Sequence, residues 1–254
     1  MFPFLIKTKE IVFDILFPPI CVNCQKHLDD KNRLMLRPNS ASILSLPNGL
    51  ICEKCLSLIK INNTLFCSVC RARLAENKKI CHRDAPYLLA AAGNYDDPVL
   101  QNLIHYFKYK KFENLAPILG ELLIEYLKLL NFKTFKLLNF IIVPIPLHPS
   151  RERERGFNQA KLLAEITASH FNLLLVDELK RIKNNEPQAK MKNSEKRTKN
   201  IFGCFEIKNS NLVKGKNIIL VDDVFTSGAT MNEAVKILKK NGAGKIIALV
   251  LAKA

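Results

Sequence analysis

Apolar residues follow two periods through the second two-thirds of the chain. Ile218-Ile219-Leu220-Val221 is an unbroken apolar run with three β-branched members, the pattern of a strand buried on both faces of a parallel sheet. Met231, Ala234, Val235 and Leu238 then recur at helical spacing. Between the two lie Asp222 and Asp223, where the strand is expected to end, and a short Thr/Ser/Gly loop. Phe140 to Val143 repeats the buried-strand pattern, and Pro144 and Pro146 behind it stop pairing and fix an exit loop. Taken together, the pattern predicts strands near 140–144, 173–176, 201–207, 217–222 and 246–251. Helices are predicted near 98–109, 113–130, 156–169 and 229–241. Strands alternating with helices imply an α/β domain with a mainly parallel sheet over residues 88–254.

Residues 1–87 read differently. Positions 5, 6, 12, 13, 16 and 17 can form one apolar helical face, but Lys7, Lys9, Glu10 and Asp14 interrupt both a signal-peptide core and a membrane span. The chain is therefore expected to be cytoplasmic and not membrane-spanning, with any membrane association made through partners. Six of the eight cysteines form three Cys-x-x-Cys pairs, Cys21/Cys24, Cys52/Cys55 and Cys67/Cys70, and Cys81 follows. Two-residue spacing lets both thiolates of a knuckle face one tetrahedral metal, so Cys21, Cys24, Cys52 and Cys55 are expected to hold structural zinc. Disulfides are disfavoured without export, and redox pairs do not usually come in threes. Cys67, Cys70 and Cys81 give three ligands of a second site. Asp84 has the knuckle spacing to be the fourth; His82 is the better zinc ligand by chemistry but adjoins Cys81. One or two zinc ions would hold together a loop-rich segment with little core of its own. The lone Cys204 is expected in the core.

Almost half of the 254 residues are hydrophobic, which places the chain among globular proteins, and its formal net charge is +16. The excess is spread over both parts and favours polyanionic partners. It is steepest over 180–200, where eight Lys/Arg stand against Glu186 and Glu195. With little apolar content, that stretch is expected to be a loop, and it carries no aromatic residue that would make it a base-stacking platform.

The run Asp222-Asp223-Val224-Phe225-Thr226-Ser227-Gly228-Ala229-Thr230 carries the chemistry. Ligands of α/β sheets bind beyond the carboxyl ends of the strands. There the backbone N–H groups of Thr226, Ser227, Gly228, Ala229 and Thr230, with the helix dipole behind them, would cradle a phosphate. Asp222 and Asp223 have the wrong charge for phosphate, but they suit the vicinal hydroxyls of a sugar, directly or through Mg²⁺. A phosphate at one end and a diol at the other describe a ribose 5-phosphate site. The plainer alternative is a solvated acid pair followed by a turn capped by Thr230. Upstream, Arg151 and Arg155 are four apart, so on a helix they share a face, and guanidinium forks suit phosphate oxygens. The alternating Arg151-Glu152-Arg153-Glu154-Arg155 can also be read as a self-neutralising solvated face.

The acid-pair stretch resembles the phosphoribosyl diphosphate (PRPP) signature of type I phosphoribosyltransferases, and the cysteine pairs ahead of it make the whole similar to the ComF family of competence proteins. Leu16-Phe17-Pro18-Pro19-Ile20-Cys21-Val22-Asn23-Cys24 matches the family's entry into its zinc ribbon. His105-Tyr106-Phe107-Lys108-Tyr109 with Leu115-Ala116 resembles its first helical hairpin. Val143-Pro144-Ile145-Pro146-Leu147-His148, leading to Arg155-Gly156-Phe157-Asn158-Gln159, and Arg197-Thr198-Lys199-Asn200 also match. Asn185 stands where the family pattern has threonine, three residues ahead of Gln188.

The resemblance implies a zinc ribbon over 1–87 and a type I phosphoribosyltransferase-like sheet over 88–254. In it Asp222 and Asp223 would bind the ribose hydroxyls and Thr226 to Thr230 the 5′-phosphate, while Leu147, His148, Arg151 and Arg155 belong to a pyrophosphate loop. PRPP with Mg²⁺ is the implied ligand, single-stranded DNA and DNA-uptake proteins the implied partners, and internalisation of transforming DNA the implied role. No protein nucleophile or catalytic residue is visible, and nothing names an acceptor. A metabolic phosphoribosyltransferase acting on a nitrogenous acceptor is the alternative reading.

Overall fold

A computed structural model describes residues 20–28, 50–74, 81–82, 84–131, 139–185 and 201–254. The expected N-terminal helical face, and the basic stretch from Glu186 to Asn200 with Gln188, lie outside the described residues. By packing, the chain divides into two units, Met1–Lys60 and Ile61–Ala254. The boundary expected from composition and the cysteine pattern lies near residue 87.

In the first unit, a tight turn at Cys21–Cys24 (Gln25 N–H donating to the Cys21 carbonyl at 2.9 Å) precedes helix α1, Glu53–Ser57. Cys52 is the N-cap of α1, its sulfur accepting from the Cys55 amide.

The second unit is an α/β domain. It contains β1 (Phe66–Cys67), β2 (Leu88–Asn94), α2 (Pro98–Tyr109), α3 (Ala116–Leu129), β3 (Phe140–Pro144), α4 (Pro149–Arg155), α5 (Gln159–Phe171) and β4 (Leu174–Leu175). There follow β5 (Leu179–Arg181), β6 (Phe205–Ile207), β7 (Asn217–Phe225), α6 (Ala229–Lys240) and β8 (Ile246–Lys253). Among the described residues six strands form one sheet in the order β1-β2-β8-β7-β3-β4, parallel except for β1 against β2. Residues Ile218 to Val221 are fully buried, as a central parallel strand covered on both faces requires. Met231, Ala234, Val235 and Leu238 of α6 share a core with Ile218 and Leu220 of β7, while α5 lies over β3 and β7 and packs on α3. The α3–α5 approach is close: a Cβ at Gly120 would lie 2.6 Å from Ile166 Cγ2.

Four differences from the sequence-based expectation have physical causes. β7 does not end before the acid pair but runs on to Phe225, because β8 continues to pair with it there (Asp222 with Val250, Val224 with Ala252). The helix expected over 156–169 is α5, Gln159–Phe171, and a separate short helix not in that expectation, α4, precedes it and ends where Gly156 takes φ 92° as its C-cap. The strand expected over 201–207 is only Phe205–Ile207, and it pairs with β5 in a separate antiparallel pair outside the main sheet. β2 was not foreseen, since Leu88-Leu89-Ala90-Ala91-Ala92 has the composition of a helix; its pairing with β8 makes it a strand.

Candidate functional site

On the β3 side, the ladder of β7 stops at Pro144 opposite Val221, where Pro144 and Pro146 end β3. Asp222 and Asp223 therefore stand at an open edge of a paired strand, at the carboxyl end of the sheet. They line a cavity of about 300 Å³ together with Thr226, Thr230, Leu147, Arg151, Arg155, Lys108 and Arg181. Most of the site residues expected from sequence thus converge. A second, smaller hollow of about 30 Å³ lies between Asp222, Thr226, Gly228, Ala229 and Thr230 at the start of α6.

Each element brings its side chain for a local reason. Helix α2 starts at Asp97, whose side chain accepts from the amides of Val99 and Leu100 at 3.0 Å each, with Pro98 at its first position. It buries Leu103, Ile104 and Phe107 completely and carries Lys108 in its last turn. Lys108 Nζ lies 2.7 Å from Asp223 Oδ1. His148 caps α4, its ring accepting from the Ser150 amide at 3.3 Å, and it is not among the cavity-lining residues. Its place is to start the helix that carries Arg151 and Arg155. Asn158 holds the next turn by accepting from the Ala160 amide at 3.1 Å and donating to the Ile145 carbonyl at 3.1 Å. At the start of α6 the N-cap is Gly228, φ 80°, and not Thr230. The Ser227 hydroxyl accepts from the Ala229 amide at 3.4 Å.

Two cations escaped sequence reasoning. Lys108 lies in the helix predicted over 98–109, and nothing in its local sequence marks it as a site residue. Arg181 fell in the stretch read as a loop, yet it is 8% exposed in β5, its guanidinium 5.8 Å from the Phe205 ring centroid. The alternation Leu179-Lys180-Arg181, two buried positions around a half-buried one, was the available signal. The Arg151 guanidinium donates to the backbone carbonyl of Asn185, so residue 185 takes part in this contact through its main chain. Arg155 donates to Gln159 Oε1 at 3.0 Å and lies over the Tyr109 ring.

The electrostatics call for an anion. Burial, and then the charges of Arg181 and Arg155, pull the Arg151 pKa below the usual guanidinium value. Burial also lowers Arg181, with Arg155 adding to it. Burial disfavours charge on Lys108, but Asp223 outweighs it and its pKa is raised. Burial, and then the neighbouring Asp223 charge, push Asp222 up to about 7. The Asp223 amide donates to Asp222 Oδ1 at 2.8 Å and partly offsets this. A carboxylate with a raised folded pKa makes the ligand-free protein lose stability as pH climbs from its unfolded value to about 7, with the full loss present above that. Asp222→Asn is therefore expected to stabilise the free protein by on the order of 2 kcal/mol near pH 8, and by less near pH 5.5. Urea unfolding at both pH values checks this; a gap that does not widen at the higher pH contradicts it.

The cysteines form two clusters whose donor atoms all lie within 4.8 Å of one another: Cys21, Cys24, Cys52 and Cys55 in the first unit, and Cys67, Cys70, Cys81 and His82 in the second. A tetrahedral zinc site with Zn–S near 2.3 Å places sulfurs about 3.8 Å apart. The Cys24–Cys52 separation is 3.8 Å, and Cys67 Sγ lies 3.5 Å from His82 Nδ1. Both donor sets could hold zinc. The fourth donor of the second cluster is His82; Asp84, favoured for this place by spacing, is not part of it. The adjacent position works because His82 reaches back with Nδ1, 3.4 Å from Cys81 Sγ. Backbone amides of Cys52 and Val69 donate to Cys21 and Cys67 sulfurs at 3.4 Å, as suits thiolates. Cys204 is fully buried, as expected of a core residue.

Residues 158–254 match the model of the phosphoribosyl transferase domain family. The chain is 32% identical over 215 residues to Competence protein ComFC of Bacillus subtilis, covering 80% of this chain and 83% of that protein. The chain belongs to the ComF family. Competence protein F of Haemophilus influenzae is 31% identical over 217 residues, covering 82% of this chain and 91% of its own. DNA utilization protein YhgH of Salmonella typhimurium is 25% identical over 224 residues, covering 80% and 96%. For this ComF protein, Lys108, Arg151 and Arg155 all lie upstream of the segment matched by the domain family. Among the described residues no helix is long and apolar enough to cross a membrane.

Proposed function

We propose that this protein is a PRPP-binding competence protein that acts on the cytoplasmic side in the internalisation of transforming DNA, alongside DNA-uptake proteins. The observation that carries the reading is the meeting of an acid pair and three arginines in one cavity, with a small hollow beside it at the start of α6. Asp222 and Asp223 accept from the ribose 2′- and 3′-hydroxyls. The amides of Thr226 to Thr230 hold the 5′-phosphate. Arg151 and Arg155, on the segment that Leu147 and His148 shape, take the diphosphate together with Arg181, which relieves their mutual repulsion. Mg²⁺, when bound, supplies further neutralisation of the diphosphate. Zinc in the two clusters, when bound, supplies the cross-links that hold the loop-rich segments. The basic surface takes the phosphates of single-stranded DNA, a binding that weakens steeply with salt. The competence names of the relatives support the biological role.

Calorimetric titration of the zinc-loaded protein with PRPP and Mg²⁺ tests the site. Wild type is expected to bind, and Asp222→Asn/Asp223→Asn to weaken binding about a hundredfold or more. No binding by the folded wild type overturns the reading. Pyrophosphate release dependent on an added nitrogenous base moves it to a metabolic transferase.

A further inference from the structure

Two adjacent carboxylates at the edge of a cavity ordinarily attract a divalent cation. Here the place against Asp223 is taken. Lys108 Nζ sits 2.7 Å from Asp223 Oδ1, with the two side chains only 17% and 11% exposed. It is no swinging surface lysine. Its helix is pinned by the Asp97 cap at one end, and by Leu103, Ile104 and Phe107, all fully buried, along its length. Among the described residues the cavity brings four cations, Lys108, Arg151, Arg155 and Arg181, against two carboxylates. Fixed protein charge therefore already exceeds the acids by two, the balance that a metal ion would otherwise have to supply for a phosphorylated ligand.

We propose that Lys108 is the resident counter-cation of the acid pair: its ammonium holds the position at Asp223 that a divalent metal would take. The ribose end of the ligand is held without metal, and any Mg²⁺ is confined to the diphosphate. The ligand half of this inference rests on the phosphoribosyl reading; the exclusion of metal from Asp223 does not. Lys108 acts as a positioning residue, tuning what its neighbour binds.

The test uses the zinc-loaded full chain with Mn²⁺ as probe, its free signal followed by electron paramagnetic resonance. Lys108→Met is expected to bind Mn²⁺ about tenfold more tightly than wild type, Lys108→Arg to behave as wild type, and Lys108→Met/Asp223→Asn to lose the gain. In a second arm, wild type is titrated with ribose 5-phosphate with Mg²⁺ present or simply left out, so that no chelator strips zinc. Its affinity is expected to stay within about twofold, whereas that of Lys108→Met falls about tenfold without Mg²⁺ and recovers with it. Mn²⁺ binding by wild type that Asp223→Asn removes would overturn the proposal, and so would a folded Lys108→Met no tighter for Mn²⁺ than wild type. If Lys108→Met does not fold, the comparison of wild type with Asp223→Asn decides alone. Failure of wild type to bind ribose 5-phosphate in either condition would sink the phosphoribosyl reading, leaving the Mn²⁺ arm to judge the role of Lys108.

Discussion

Replacing Cys67 and Cys70 together by serine is expected to remove one of two zinc equivalents and to destabilise the α/β domain by on the order of 3 kcal/mol or more. The reason lies in β1. Phe66 and Cys67 pair with Leu89 and Leu88, so the second cysteine cluster is attached to the edge of the six-stranded sheet. Phe66 is 1% exposed and belongs to the domain core, with the Lys253 ammonium 4.8 Å from its ring centroid. Without metal the thiols compete for protons: hydrogen bonds with Cys67 and Cys70 push Cys81 up to about 12. Only a bound cation lets all three thiolates coexist. Metal analysis and thermal unfolding check this, with retention of two zinc equivalents or an unchanged Tm counting against it. His82→Ala should lose the same zinc, and Asp84→Ala should keep it. Cys21→Ser/Cys24→Ser should lose the other equivalent, since that cluster belongs to the first unit.

Gly228→Ala is the second substitution with a large expected effect. Gly228 holds φ +80°, and an added Cβ would lie 2.7 Å from Phe225 Cζ and 3.1 Å from Cε2. Phe225 cannot give way easily: it is 3% exposed, pairs through β7 with Lys253, and lies under the Arg71 guanidinium at 5.5 Å. Left-handed backbone strain and the clash together are expected to cost on the order of 2 kcal/mol of stability. The same change displaces the amides that line the small hollow at the start of α6, so affinity for ribose 5-phosphate should fall roughly a hundredfold. Urea unfolding and calorimetry read the two effects separately. A variant with wild-type stability and affinity would show that the loop relaxes around the new methyl group.

How much of the protein was legible depended on how local the cause was. Buried parallel strands announce themselves as unbroken apolar runs, so Phe140–Pro144, Asn217–Phe225 and Ile246–Lys253 were found within a few residues of their ends. Helix α6 was found because it buries one stripe, Met231, Ala234, Val235 and Leu238, and the cysteine pairs because metal geometry fixes their spacing. The acid pair and its Thr/Ser/Gly loop were legible for the same reason, since the strand, turn and helix that form the cradle are consecutive in sequence. His82 as the fourth donor was not, because its choice over Asp84 depends on how the chain folds back after Cys81.

The chain by itself therefore determined the α/β class, the metal-type clusters and the signature that lines the cavity, all set by periodicity or by spacing over a few residues. Tertiary structure alone decided the rest. It made a strand of the alanine-rich Leu88–Asn94 by placing β8 beside it, and carried β7 past its acid pair through the same neighbour. It also brought Lys108 and Arg181, which are 115 and 42 positions from Asp223, into one cavity with it. Such long-range pairings leave no local trace, because a buried lysine and an exposed one look alike until the carboxylate that meets it is in place.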